Sequence, residues 1–218
     1  MIVLAYGLPG TGKSTLLHDL IRKQVHVHRF FVVDREAGWG PDGAHWRGAP
    51  PTNLWVFGQH HRFPSVGMIP STGVFVFRNW EPLDVARLAI QHGDSIFVDD
   101  EIDFSARREG WSESPLRLIV HQGRHLPNAR QQISECHILG ACRRPQNLPS
   151  DLSELASEVY VFRIQGDLTL RRLVRDGHLE QENLDLVRRL PDFQCIHFPT
   201  NRHLRIPPLG ARQKLAFH

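Results

Sequence analysis

Ile2-Val3-Leu4-Ala5-Tyr6 runs directly into Gly7-Leu8-Pro9-Gly10-Thr11-Gly12-Lys13-Ser14, and Ser14 to Lys23 then carries leucines at helical spacing. A short apolar strand, a glycine-rich loop and a helix in that order are the context in which G-x-x-x-x-G-K-S carries meaning. A polyphosphate is well solvated in water, so a protein must replace that solvation with many oriented donors in a small volume. Gly7, Gly10 and Gly12 allow backbone conformations closed to other residues, which lets successive N–H groups turn inward at a helix N-terminus that also favours anions. Lys13 is placed to reach β- and γ-phosphates and the Ser14 hydroxyl to ligate Mg²⁺. The Walker A stretch from Gly7 to Ser14, with Thr15 behind it, is therefore the expected seat of ATP and Mg²⁺.

A metal held by Ser14 needs a carboxylate from the end of another strand. Ser95-Ile96-Phe97-Val98-Asp99-Asp100-Glu101 offers three consecutive acids after an apolar run. Their mutual repulsion is costly unless a cation sits there, which points to a Walker B motif. Two assignments stay open. Either Asp99 contacts the metal and Asp100 or Glu101 orients water, or Asp100 takes the metal and Glu101 the water. Glu101 is the favoured base, because a glutamate following the metal-binding aspartate can activate water.

Further strands are predicted at Phe30 to Asp34, Asn53 to Phe57, Val74 to Phe77, Cys136 to Ala141, Val159 to Ile164 and Phe193 to Phe198. Helices are predicted at Glu81 to His92, where Pro82 suits the first turn and Gly93 the end, at Ser114 to Gln122, at Ser150 to Ser157, at Asp167 to Val174 and at Glu180 to Leu190. The alternation argues for an α/β fold, a mostly parallel central sheet flanked by helices. Residues 1–175 form the expected P-loop domain. Residues 176–218 read as a short C-terminal extension, a helix and an irregular basic tail, packed on the domain or extending from it.

The composition is that of an ordinary globular chain, with 41% apolar and 22% charged residues. No apolar run approaches about 18 residues, so a membrane-spanning helix is not expected, and the first strand is too short for a signal-peptide core. A cytoplasmic protein is the expectation. Three cysteines without a C-x-x-C pair indicate neither a disulfide framework nor zinc, and the fourteen histidines are scattered rather than set at ligand spacing. The net charge is only +3, but five arginines face Glu135 alone between Arg117 and Arg144. From Phe193 onward, three arginines and Lys214 meet no acid. Such patches suit phosphates.

Three later segments narrow the class. Gln122-Gly123-Arg124-His125, then Cys136 to Cys142 followed by Arg143-Arg144-Pro145, then Val159-Tyr160-Val161-Phe162-Arg163-Ile164 resemble the FtsK/HerA superfamily of DNA-pumping ATPases. There a G-R-H segment precedes a strand ending in T-Q-R-P, and a short helix and a strand ending in F-R follow. Phe31-Val32-Val33-Asp34 is similar to the superfamily's second strand, which ends in aspartate. The chain departs from the pattern at Arg143, where a polar sensor glutamine is usual. The resemblance covers roughly residues 1–175 and implies a RecA/FtsK-like P-loop NTPase.

It implies in turn that Arg143 senses the γ-phosphate, and that Arg124 or Arg163 reaches a neighbouring subunit's nucleotide as an arginine finger. FtsK itself carries membrane spans and a DNA-reading winged helix, and HerA an added N-terminal barrel. This chain, opening almost at once on its first strand, is expected to be a bare motor. Within the superfamily it most resembles the genome-packaging ATPases of tailless, membrane-containing viruses. The implied partners are double-stranded DNA without sequence specificity, further copies in a homo-hexamer, and a capsid vertex. The implied DNA-facing loops are Trp39 to Arg47 and Arg107 to Trp111. A Zot-like phage assembly ATPase and a P-loop kinase, with Arg107-Arg108 or Arg171-Arg172 as a lid, are the competing readings.

Overall fold

Apolar runs bounded by turn residues become strands, and the helices between them bury one face. The strand β1 (Ile2–Tyr6) leads through the glycine loop to α1 (Lys13–Gln24) and β2 (Arg29–Asp34). Next come β3 (Leu54–Gly58), β4 (Gly73–Arg78), α2 (Pro82–His92), β5 (Ser95–Asp99) and α3 (Pro115–Gln122). A small hairpin of β6 (Leu126–Pro127) and β7 (Ile133–Ser134) precedes β8 (Cys136–Cys142), α4 (Ser150–Glu154) and β9 (Glu158–Val161). The order ends with α5 (Asp167–Arg175), α6 (Leu184–Arg189), β10 (Gln194–Phe198) and β11 (Arg202–Arg205). This computed structural model describes residues 1–41, 50–59, 62–63, 65, 69–104 and 110–206.

The main sheet has nine strands in the order β11-β10-β9-β1-β8-β5-β2-β4-β3. β10 and β11 are antiparallel to their neighbours, and every other pair is parallel. β8 therefore stands between the glycine-loop strand β1 and the acidic strand β5. All three end on the same edge, with Tyr6 beside Cys142 and Asp99 beside Gly140.

A parallel sheet is buried on both faces, and the side chains divide accordingly. Leu4, Tyr6, Phe31, Phe77, Phe97 and Ile138 enter one core with α2, α3, α5 and α6. The alternate residues Val3, Ala5, Val32, Val98 and Ala141 enter the other, with Leu16, Leu17 and Ile21 of α1. On the first face Phe31, Phe57, Phe63, Phe75 and Phe77 pack ring to ring, with centroids 4.9–6.3 Å apart. Side-chain area of this kind supplies most of the driving force for the fold.

Three expectations are corrected. The helix predicted from Glu180 to Leu190 is a 3₁₀ turn, Gln181–Asn183, followed by α6. β9 stops at Val161 rather than Ile164, because the carbonyl of Arg163 accepts the Leu8 N–H of the glycine loop. Within the stretch after Phe198, expected to be irregular, Arg202–Arg205 forms β11, pairing Leu204 with Cys195 of β10. That strand is polar and offers little apolar alternation to read. Cys136, Cys142 and Cys195 are buried and free, as the sequence implied.

Candidate active site

The glycine loop hangs between two strand ends, with Gly7 N–H donating to the Cys142 carbonyl (3.3 Å) and Leu8 N–H to that of Arg163 (3.0 Å). Gly12 adopts φ 111°, and α1 begins after it with no side chain capping the helix. The first-turn N–H groups, normally satisfied by a side-chain cap, have none here and are the donors with which a helix N-terminus serves an anion. A Cβ at Gly12 would stand 2.9 Å from Cδ1 of Phe193, whereas one at Gly10, φ 76°, would meet nothing within 4 Å. Lys13 is buried and its Nζ donates to the Leu8 carbonyl (2.8 Å). Burial, and after it the nearby Arg143 charge, pull its pKa down to about 8. A half-desolvated ammonium beside uncapped N–H groups is the donor set a polyphosphate fits.

Above the loop lies a cleft of about 320 Å³ lined by Lys13, Ser14, Thr15, Asp100, Glu101 and Arg143 among others. Here the three acids part company. Asp99 is fully buried and bound two-pronged by Arg35, with Nη1 to Oδ1 at 2.5 Å and Nη2 to Oδ2 at 2.9 Å. The Glu101 N–H also donates to it (3.0 Å). Asp100 and Glu101 line the cleft facing Lys13 and Ser14. Asp100 accepts from Trp39 Nε1 (3.4 Å), and Glu101 Oε1 lies 3.2 Å from Arg143 Nε. A divalent cation between Ser14 and Asp100 fits this donor set, since Asp99 has its oxygens engaged elsewhere.

The three candidate arginines are separated. Arg143 is in the cleft, half exposed. Arg163 lies beside the loop, but its guanidinium is bound to Asp192 (2.7 Å) and the Leu190 carbonyl (3.4 Å). Arg124 follows α3, next to Gly123, whose carbonyl accepts from Cys136 at the start of β8. That is the opposite edge of the sheet, roughly 20 Å from the cleft along the seven-residue β8. Arg124 cannot reach the nucleotide site of its own chain.

Three cleft residues, Arg35, Glu36 and Phe193, escaped sequence reading. Arg35 follows Asp34, and only the pairing of β2 with β5, Val33 opposite Asp99, brings it to the acids. Phe193 comes from the other end of the chain. Its backbone is left-handed at φ 63°, and its N–H donates to the Thr11 carbonyl (2.8 Å). A bulky residue in that conformation is strained by about 1–3 kcal/mol. Trp39, expected on a DNA-facing loop, is buried, stacked on His18 at 3.7 Å. The rest of that loop from residue 42, Arg47 included, and residues 105–109 of the other, Arg107-Arg108 included, lie outside the described residues, as does Lys214. Of the alternative lid arginines, Arg172 is bound to Asp176 (3.2 Å). Among the described residues, no group of three or more His, Cys, Asp or Glu could hold a metal by itself, and no helix is long and apolar enough to cross a membrane.

No protein-family profile and no curated protein matches the chain by sequence. Solved structures do match. The genome packaging NTPase B204 from Sulfolobus turreted icosahedral virus 2, in complex with ATP-gammaS, superposes with a TM-score of 0.61 at 12% identity, covering 95% of this chain and 97% of that one. The chain shares the fold of B204. The AMPPCP complex gives 0.60 at 13% identity over 93% and 95% of the two chains. B204 described as the DNA-packaging ATPase from Sulfolobus Turreted Icosahedral Virus gives 0.60 at 14% identity over 93% and 95%.

Proposed function

We propose that this protein is a Mg²⁺-dependent ATPase that drives duplex DNA, without reading its sequence, into a preformed viral capsid. The observation that carries the reading is the cleft itself: Lys13 and Ser14 face Asp100 and Glu101, while Arg143 of the interposed β8 loop touches Glu101. The B204 likeness supports the same reading.

The loop N–H groups and Lys13 would hold the β- and γ-phosphates, and Ser14 with Asp100 would hold the metal. Mg²⁺ would neutralise charge on the phosphate oxygens as the γ-phosphoryl leaves. Glu101 takes a proton from the attacking water. Arg143, one guanidinium from Glu101 and close enough to Lys13 to lower its pKa, is positioned to bond the γ-phosphate and to let Glu101 go when it does. Asp99 acts indirectly: its pair with Arg35 fixes the strand end from which Asp100 and Glu101 project.

The working form is a ring of identical subunits, a hexamer by resemblance, operating in the host cytoplasm and docked at a capsid vertex. A kinase reading is weaker, because a carboxylate-and-arginine pair over the phosphate site suits water activation better than transfer to a second substrate. ATP hydrolysis measured with and without duplex DNA separates the two. A motor speeds up with DNA, binds it with a steep salt dependence and varies little with sequence. A monomer whose ATPase ignores DNA, and which phosphorylates a nucleotide or a polynucleotide end, overturns the reading.

A further inference from the structure

The cleft is chemically lopsided. On the flank where β8 and β5 end it is charged, with Arg143, Asp100 and Glu101, and Arg35 stands behind them. On the flank where β9 ends and β10 begins, it is lined by Phe193, the one aromatic among the described lining residues. The γ-phosphate belongs beside the acids and Arg143, and Lys13 and Ser14 hold the middle of the polyphosphate. The nucleoside must then leave on the other side, toward Phe193.

The backbone that carries that ring is held by four separate bonds. The Phe193 N–H is tied to Thr11 (2.8 Å), and its carbonyl accepts from Ile206 N–H (2.6 Å). The preceding Asp192 is paired with Arg163 (2.7 Å), and Arg163 also donates to the Leu190 carbonyl (3.4 Å). The ring lies against Gly12, which leaves it room by having no side chain. Its other side is partly open to the cleft. Strain at a residue this firmly over-determined is the mark of a side chain whose position matters.

We propose that Phe193 is the platform on which the nucleobase of the bound triphosphate stacks, and that it takes the base by its face without reading its edge. Among the described lining residues, the charged side chains Arg35, Glu36, Asp100, Glu101 and Arg143 all come from the ends of β2, β5 and β8, and the loop residues Pro9, Gly10 and Gly12 carry no side chain able to pair with a base edge. An aromatic face alone accepts every base, with purines favoured by area. The inference rests on the nucleotide reading of the cleft and not on the DNA motor.

Equilibrium binding with Mg²⁺ tests it on the full chain, using ATP, GTP, CTP and inorganic tripolyphosphate. In the wild type, ATP and GTP should bind within a few-fold of each other and more tightly than CTP. Phe193→Ala should weaken ATP and GTP by roughly 10-fold or more while leaving tripolyphosphate unchanged, and Phe193→Trp should restore the nucleotides. Phe193→Leu keeps bulk against Gly12 without a π-face and should behave as the alanine does. An equal loss for tripolyphosphate, a full rescue by leucine, or strong wild-type preference for one purine overturns the proposal. Binding is read without DNA or turnover, so failure of the motor reading is seen separately.

Discussion

The three consecutive acids have different surroundings, and their variants should fail differently. Glu101→Gln should bind ATP normally and lose turnover by about 10²-fold or more, measured as nucleotide affinity beside steady-state hydrolysis. Asp99→Asn should lose folding stability first, by about 2 kcal/mol in denaturant unfolding, because it takes a buried charged acceptor from Arg35. Near-normal turnover in Glu101→Gln with loss in Asp100→Asn would move the base to Asp100. The identity of the acids was legible in the sequence, since an apolar strand ending in Asp-Asp-Glu announces itself. Their division of labour was not, because it depends on Arg35, which reaches Asp99 only through the pairing of β2 with β5.

At the scale of elements, α1 starts on Gly12 with its first turn uncapped, and β8 carries Arg143 to the acids. Gly12→Ala forces a side chain into φ 111° and against Phe193 Cδ1, whereas Gly10→Ala meets open space. Both should lose stability, but Gly12→Ala should lose more, and it should also lose nucleotide affinity well beyond Gly10→Ala in a binding titration. The end of α2 gives a pH signature. His92, buried between Phe31 and Phe63, has its pKa lowered from 6.5 to about 4 by burial and then by Arg29. Between those values the unfolded chain binds a proton that the folded protein refuses. Stability is therefore full above about pH 6.5 and falls as pH drops from 6.5 toward 4. Unfolding midpoints across that range should show the slope, and His92→Gln should flatten it. The runs that became β1, β5 and β8 were readable because a buried parallel strand is apolar throughout. β11 was not, since Arg202-His203-Leu204-Arg205 becomes a strand only by pairing with β10.

On the scale of the whole molecule, Arg124 sits at the opposite edge of the sheet from the cleft of its own chain, so any role in hydrolysis must be played on another copy. Arg124→Ala should keep ATP affinity and lose turnover, and adding Lys13→Ala subunits, which retain Arg124, should restore part of it. No rescue at any mixing ratio would leave Arg124 without a part in catalysis. Arg163→Ala should gain nothing from mixing, because Arg163 works inside its own chain on Asp192 and Leu190.

The tie between Thr11 and Phe193 also has a meaning in time. The glycine loop is synthesised well before its partners, for β1 pairs with Ile138 of β8 and Glu158 of β9, and the loop is closed by residue 193. Contacts so distant along the chain form late and slowly. A nascent chain is thus blind to ATP until the β10-β11 hairpin has emerged. Ribosome-stalled chains whose emerged portion ends at residue 189 should not retain labelled ATP, and chains whose emerged portion extends past residue 206 should.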